Sequence, residues 1–118
     1  MTRELTRILY VEDDPDIQAI AMMVLETISG FTVEACSCGS DALQKAVAFN
    51  PDLILLDVMM PGMDGPETLK GLRAFPELET TPVVFMTAKV QPQEVQAYLG
   101  MGAVGVIAKP FDPMTLAQ

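Results

Sequence analysis

The sequence Leu53-Ile54-Leu55-Leu56-Asp57 places four aliphatic residues directly before a carboxylate, and this stretch decides the fold. A continuous apolar run of this length is typical of a parallel strand that is buried on both faces of a sheet. Similar runs occur at 8–11, 83–86 and 104–108, and the alternating segment 31–35 predicts a strand at a sheet edge. Longer amphipathic stretches separate these segments. We therefore predict an α/β domain with a five-stranded parallel sheet and helices on both faces.

The helices of this domain are marked by capping residues and glycines. Asp14, Gln91 and Asp112 each precede a proline, which is typical of a helix N-cap, and Ser40 is the expected cap of the second helix. Gly30 and Gly102 lie where helices should end. The expected helices span 15–29, 40–49, 66–74, 92–101 and the residues from 113 onward. Since the chain stops at 118, we expect the last helix to be truncated.

Composition excludes several classes of function. The 118 residues include 16 acidic and 7 basic side chains, a net charge of −9, which disfavours direct contact with nucleic acid or an anionic membrane. The absence of histidine excludes catalytic triads with histidine and histidine-ligated zinc. Two cysteines, Cys36 and Cys38, are expected to be free thiols. These features and the lack of a signal segment predict one cytoplasmic domain over 1–118.

Chemically active side chains follow four of the five predicted strands, numbered here in chain order. Glu12 and Asp13 follow the first predicted strand, Asp57 the third, Thr87 the fourth and Lys109 the fifth. Ligands of open parallel sheets bind at the carboxyl ends of the strands, so we expect these residues to meet. Two carboxylates about 4 Å apart repel by about 4 kcal/mol at an effective dielectric constant near 20. The acidic residues therefore predict an all-oxygen site for a hard divalent cation such as Mg²⁺.

A carboxylate nucleophile, Mg²⁺, an ammonium and a hydroxyl together indicate chemistry on a phosphoryl group. Phosphatases of the haloacid-dehalogenase type place a second acid two residues after the nucleophile, where this chain has Met59. A flavin mononucleotide site would favour hydroxyls after the first strand, and this chain has acidic residues there. The sequence contains no Walker A pattern. An aspartyl phosphate on Asp57 is the product that this arrangement predicts.

Four motifs, in order along the chain, resemble those of receiver domains of two-component response regulators. They are Val11-Glu12-Asp13-Asp14, Leu56-Asp57-Val58-Met59-Met60-Pro61-Gly62-Met63-Asp64-Gly65, Met86-Thr87-Ala88 and Val106-Ile107-Ala108-Lys109-Pro110-Phe111. The resemblance covers residues 1–118 and implies a single receiver domain. It also implies a flavodoxin-like (βα)5 fold with strand order 2-1-3-4-5.

The resemblance implies a role for each residue of the acidic pocket. Asp57 is similar to the phosphoacceptor, which receives phosphoryl from a phosphohistidine on a sensor histidine kinase or a histidine phosphotransfer protein. Asp13 is similar to the direct Mg²⁺ ligand, and Glu12 to the residue that acts through metal-bound water. The backbone carbonyl of Met59 is expected to complete the protein ligands beside Asp57. The missing histidine is then supplied by the partner.

The resemblance also implies a conformational switch. Thr87 is similar to the hydroxyl that moves toward the phosphoryl oxygen, and Lys109 to the ammonium that pairs with it. Many receivers carry an aromatic residue three positions before this lysine, where this chain has Val106. Because the aromatic half of the switch is absent, we expect a weaker or differently routed change around the face formed by 87 and 106.

The sequence is compatible with three functions. The first is a signalling switch that alters its surface for a downstream effector and assists its own phosphorylation and dephosphorylation, without being an enzyme on outside substrates. The second is a degenerate receiver that serves as a protein-interaction module. The third is a metal-dependent phosphatase, which would need a general acid that we do not find. Since Asp57, Thr87 and Lys109 are all present, the switch is favoured over the interaction module.

Overall fold

A parallel five-stranded sheet lies at the centre of the structure, a computed structural model that describes residues 6–28, 30–60, 62–87 and 91–108. Its strands are β1 (Arg7–Val11), β2 (Thr32–Cys36), β3 (Leu53–Asp57), β4 (Val83–Thr87) and β5 (Gly105–Ala108). They lie in the order β2-β1-β3-β4-β5, and every neighbouring pair is parallel. The predicted strand order is confirmed, as is the position of β2 at an edge.

Helices cover both faces of the sheet, as predicted. They are α1 (Pro15–Met22), α2 (Gly39–Phe49), α3 (Gly65–Arg73) and α4 (Pro92–Gly100), with a short 3₁₀ helix over Pro76–Leu78. The helix expected over 15–29 is α-helical only to Met22 and continues as a π-helix over Met23–Ile28. The helix predicted from 113 onward, its expected truncation and Lys109 lie outside the described residues.

Local hydrogen bonds explain where the helices begin and end. Asp14 caps α1, since its Oδ1 accepts hydrogen bonds from two backbone amides of the first turn at 2.9 and 3.3 Å. The expectation that Ser40 caps α2 is wrong. Cys38 occupies the N-cap position in an extended conformation, and Ser40 already belongs to the helix. Gly30 and Gly102 have positive φ angles of 78° and 109°, the left-handed conformation that ends a helix at low cost.

The alternation of side chains along the strands divides the core into two layers. In β1, Leu9 and Val11 point toward the layer covered by α2, α3 and α4, which also contains Phe85. Ile8 and Tyr10 point toward the opposite layer, which α1 and the π-helix cover. All five side chains are at most 1% exposed. Because β1 and β3 pair in parallel, the carboxyl ends of these two central strands meet at one edge of the sheet.

Within the described ranges, none of the helices combines the length and the apolar character that crossing a membrane would require.

Candidate functional site

Three carboxylates converge at the edge where β1 and β3 end. One carboxylate oxygen from each of Glu12, Asp13 and Asp57 lies within 4.8 Å of the other two. Glu12 and Asp57 are each 1% exposed, and Asp13 is exposed. The structure thus brings together the three acidic residues that the strand ends single out in the sequence. Like charges at this spacing repel strongly, and a cation placed between them offsets that repulsion.

The first carboxylate is positioned by a backbone that continues the strand pairing. The amide of Glu12 donates to the carbonyl of Cys36 at 3.0 Å, one residue beyond the paired part of β1. The Nε2 of Gln18, on α1, donates to the carbonyls of Glu12 and Cys36 at 3.1 and 3.3 Å. The amide of Asp14 donates to Oε2 of Glu12 at 3.2 Å. The start of α1 and the end of β1 are therefore tied together around the buried carboxylate.

Asp57 is the last residue of β3 and is fixed by the turn that follows. It lies opposite Met86 in the register with β4, and the next amide, that of Val58, donates to the carbonyl of Met86 at 3.0 Å. The amide of Met59 donates to Oδ1 of Asp57 at 3.3 Å. The Met59 side chain itself is 63% exposed. The backbone of this turn therefore donates a hydrogen bond to the carboxylate, and its exposed apolar side chain lies beside the pocket.

Gly65 packs against the same turn, a role that sequence reasoning missed. Asp64 does cap α3, because its Oδ1 accepts from the amide of Glu67 at 2.9 Å. The amide of Gly65 donates to the carbonyl of Val58 at 2.9 Å. A Cβ atom at position 65 would lie 2.7 Å from the carbonyl oxygen of Asp57, closer than such atoms approach. The absence of a side chain lets α3 start directly behind Asp57.

The predicted switch residues lie on β4 and β5. Thr87, at the end of β4, is 1% exposed and lies opposite Ala108 in the register. Val106 lies opposite Phe85 and packs against the core layer that contains it. Lys109, the residue after Ala108, lies outside the described residues. The structure therefore places the hydroxyl at the expected strand end, and a small aliphatic side chain where an aromatic one is common in receivers.

Tyr10 is a second residue that sequence reasoning missed. It is fully buried in β1, two residues before Glu12 and therefore on the same face of the sheet. Its hydroxyl has no hydrogen-bond partner among the residues that the structure describes. Burial raises the pKa of the Tyr10 phenol, and the negative charges of Glu12 and Asp57 raise it further. The unbroken apolar run of β1 hides this polar atom, because tyrosine is counted there as a hydrophobic residue.

The chemistry of the pocket is that of a site for a hard cation. Glu12, Asp13 and Asp57 offer only oxygen atoms, and the chain supplies no histidine that would favour a transition metal. Two of the three carboxylates are buried, where uncompensated charge is costly. The acidic pocket could therefore hold a divalent ion such as Mg²⁺.

Comparison with known proteins identifies relatives of one family. The family model of the response regulator receiver domain matches residues 8–118. The DNA-binding response regulator MtrA of Mycolicibacterium smegmatis is 39% identical over 110 residues, which are 93% of this chain and 46% of that protein. The transcriptional regulatory protein ResD of Bacillus subtilis is 36% identical over 108 residues, 92% of this chain and 43% of that protein. This chain therefore spans somewhat less than half the length of these relatives.

Solved structures share the fold. The chemotaxis protein CheY4 of Vibrio cholerae superposes with a TM-score of 0.88 at 34% sequence identity, covering 96% of this chain and 93% of that chain. A signal receiver domain of a signal transduction histidine kinase from Syntrophus aciditrophicus superposes with a TM-score of 0.81 at 36% identity, covering 95% of this chain and 84% of that chain.

Proposed function

The chain belongs to the response regulator receiver family, and from this premise we propose that it is a signalling switch in which Asp57 accepts a phosphoryl group. One observation carries the proposal. The Asp57 carboxylate ends a central strand, has one oxygen fixed by the amide of Met59, and lies within 4.8 Å of the carboxylates of Glu12 and Asp13. A nucleophile in this position is held in one orientation beside a site for a cation.

Mg²⁺ is the cofactor in this proposal. Asp13 and Asp57 would bind it directly with the backbone carbonyl of Met59, and Glu12 would act through a water molecule of the ion. When bound, Mg²⁺ offsets the carboxylate charges and the charge on the phosphoryl oxygens. The buried position of Glu12 and Asp57 supports this assignment, because a cation lowers the cost of keeping both ionised.

Membership of the receiver family supports a phosphohistidine on a sensor histidine kinase or a histidine phosphotransfer protein as the phosphoryl donor. This chain has no histidine of its own to carry the phosphoryl group. A carboxylate oxygen of Asp57 forms a bond to phosphorus while the phosphorus–nitrogen bond of the donor breaks. The electron pair leaves with the imidazole nitrogen, which takes up a proton. Thr87 donates a hydrogen bond to a phosphoryl oxygen, and Lys109 pairs with the phosphoryl charge.

The output of the switch is a changed surface for a downstream effector. Relatives such as MtrA are named DNA-binding regulators and are about twice as long as this chain. We propose that any contact with DNA belongs to an effector and not to this domain, whose net charge is −9.

The proposal is tested by incubating the protein with Mg²⁺ and phosphoramidate and measuring its intact mass. We expect one phosphoryl adduct, which disappears in Asp57→Asn and when the metal is removed with EDTA. Asp64→Asn is the matched control: it makes the same carboxylate-to-amide change at a residue seven positions away, and asparagine caps a helix as well as aspartate does.

Two outcomes would contradict the proposal. Absence of any adduct would favour the protein-interaction module. Steady turnover of an added phosphate ester without a lasting adduct would favour the phosphatase.

A further inference from the structure

Helix α4 buries few of its side chains against the sheet. Of its nine residues, all of which the structure describes, Tyr98 is the one whose side chain is buried. Glu94 and Val95 are half-buried, and the other residues of the helix are exposed. In α3, by contrast, four of nine residues are buried. Because burial of apolar surface is what holds a short helix in place, the position of α4 depends on where the Tyr98 ring lies.

The Tyr98 ring rests on one residue of β4. Its centroid lies 5.4 Å from that of Phe85, and the two ring planes meet at 69°, an edge-to-face contact. Phe85 is fully buried, and Val106 lies opposite it on β5. The backbone carbonyl of Tyr98 also accepts from the amides of Met101 and Ala103, in the turn that leads from α4 to β5. Tyr98 therefore links the helix, β4 and the start of β5.

Phe85 in turn is adjacent to the candidate switch residue. Thr87 follows it by two positions on β4, so both side chains lie on the same face of the sheet. Both are at most 1% exposed, and a close-packed interior transmits a displacement of one side chain to the next. Val106 packs against the core layer that contains Phe85 and Tyr98, but it lacks the aromatic ring that many receivers carry at this position. The aromatic ring that contacts Phe85 on this face belongs to the helix.

We propose that Tyr98 is the positioning residue through which a change at Thr87 reaches α4, with Phe85 between them. The inference rests on the proposed function, because the change that it transmits follows phosphorylation of Asp57. When the end of β4 moves, Phe85 moves with it, and the Tyr98 ring repacks. Since no other buried side chain within α4 holds the helix, the helix follows the ring. The aromatic half of the switch is thus carried by α4 instead of β5.

The tyrosine content of the chain makes the ring directly observable. The sequence contains two tyrosines, Tyr10 and Tyr98, so protein labelled with 3-fluorotyrosine gives two fluorine resonances. Tyr10→Phe, on the opposite layer of the core, leaves the resonance of Tyr98 alone. We expect this resonance to shift or split when Mg²⁺ and phosphoramidate are added, in proportion to the adduct measured by intact mass. In Asp57→Asn, the same additions should leave it unchanged.

These measurements separate the inference from the proposed function. An adduct on Asp57 with an unchanged Tyr98 resonance overturns the inference and leaves the proposed function standing. A shift that persists in Asp57→Asn also overturns the inference, because it would not depend on phosphorylation. The lack of an adduct in the parent protein overturns both.

Substitutions at Tyr98 test whether the ring carries the change to the helix. Hydrogen exchange of the amides in 92–100 is compared before and after phosphorylation. Tyr98→Leu keeps the site apolar without the aromatic contact, and should reduce the phosphorylation-dependent change in exchange at least about fivefold, the lower end of ordinary coupling between two sites. Adduct formation at Asp57 should continue.

Tyr98→Phe restores the ring and should restore the change. Leu99→Ala, at an exposed position on the same helix, is the matched control and should retain it. An undiminished change in Tyr98→Leu would overturn the inference. Should that variant fail to fold, the fluorine measurement on the parent ring still decides.

Discussion

Replacing Gly65 with alanine gives a sharp test of how the phosphoacceptor turn is built. The added Cβ would lie 2.7 Å from the carbonyl oxygen of Asp57 and 2.8 Å from the Cα of Val58. Both contacts are to backbone, which cannot rotate away as the end of a flexible side chain can. The start of α3 and the end of β3 must therefore separate by several tenths of an ångström.

The expected loss of stability is up to about 2 kcal/mol. Overpacking a closely fitted site costs about 1–3 kcal/mol. Alanine recovers up to about 1 kcal/mol because it restricts the unfolded chain and favours the helix more than glycine does. The backbone of Gly65 does not have a positive φ, so the predicted loss comes from the close approach alone.

Gly100→Ala is the matched control. Gly100 likewise lies at a helix terminus, the carboxyl end of α4, and a Cβ there would meet no atom within 4 Å. We expect this variant to gain about 0.4–1 kcal/mol, because alanine restricts the unfolded chain more than glycine does. Urea denaturation of the two variants and the parent, followed by circular dichroism, should therefore give changes of opposite sign.

The assay also reports on the site. A displaced Asp57 should accept phosphoryl from phosphoramidate about tenfold more slowly or worse, because small errors in placing a nucleophile are costly. Gly100→Ala should react at the parental rate. Equal gains of stability in both variants, with parental phosphorylation of Gly65→Ala, would refute the claim that the close approach at Gly65 constrains the site.

Two further substitutions and one labelling experiment test individual contacts. Asp14→Ala should lower the free energy of unfolding by about 1 kcal/mol, because α1 loses two capping hydrogen bonds. Asp14→Asn should lose little stability, because asparagine also caps a helix, and thermal melts compare the two variants. Tyr10→Phe should raise the free energy of unfolding by up to about 1 kcal/mol, because it removes a buried hydroxyl that makes no hydrogen bond within the described structure. Urea denaturation measures this change, and a clear loss of stability would contradict the expectation. Iodoacetamide should label Cys38 and spare Cys36: a hydrogen bond with Ser40 lowers the pKa of the Cys38 thiol, and burial raises that of Cys36 to about 12. Labelling should accelerate with pH as the Cys38 thiolate forms, and faster labelling of Cys36 in peptide mapping would contradict the assignment.

Local signals in the sequence predicted most of the architecture. The four aliphatic residues before Asp57 indicated a strand buried on both faces, and the alternation in 31–35 indicated the edge strand; both predictions are confirmed. Asp14 was also predicted correctly as a cap. These features depend on residues a few positions apart, whose spacing the sequence displays directly.

The errors arose where local signals compete or are weak. Ser40 is a good capping residue, yet α2 begins one residue earlier, with Cys38 at the N-cap position. The helix expected over 15–29 widens into a π-helix from Met23, and hydrophobic periodicity does not distinguish a π-helix from the end of an α-helix.

The sequence by itself determined the family, the order of the strands through the family resemblance, and the set of acidic residues at the strand ends. The tertiary structure decided which atoms meet: the three carboxylates within 4.8 Å, Gly65 against the backbone of Asp57, and the ring of Tyr98 on Phe85. Such contacts join residues far apart in the chain. They are fixed by how helices and strands pack, and periodicity and capping patterns carry no record of that packing.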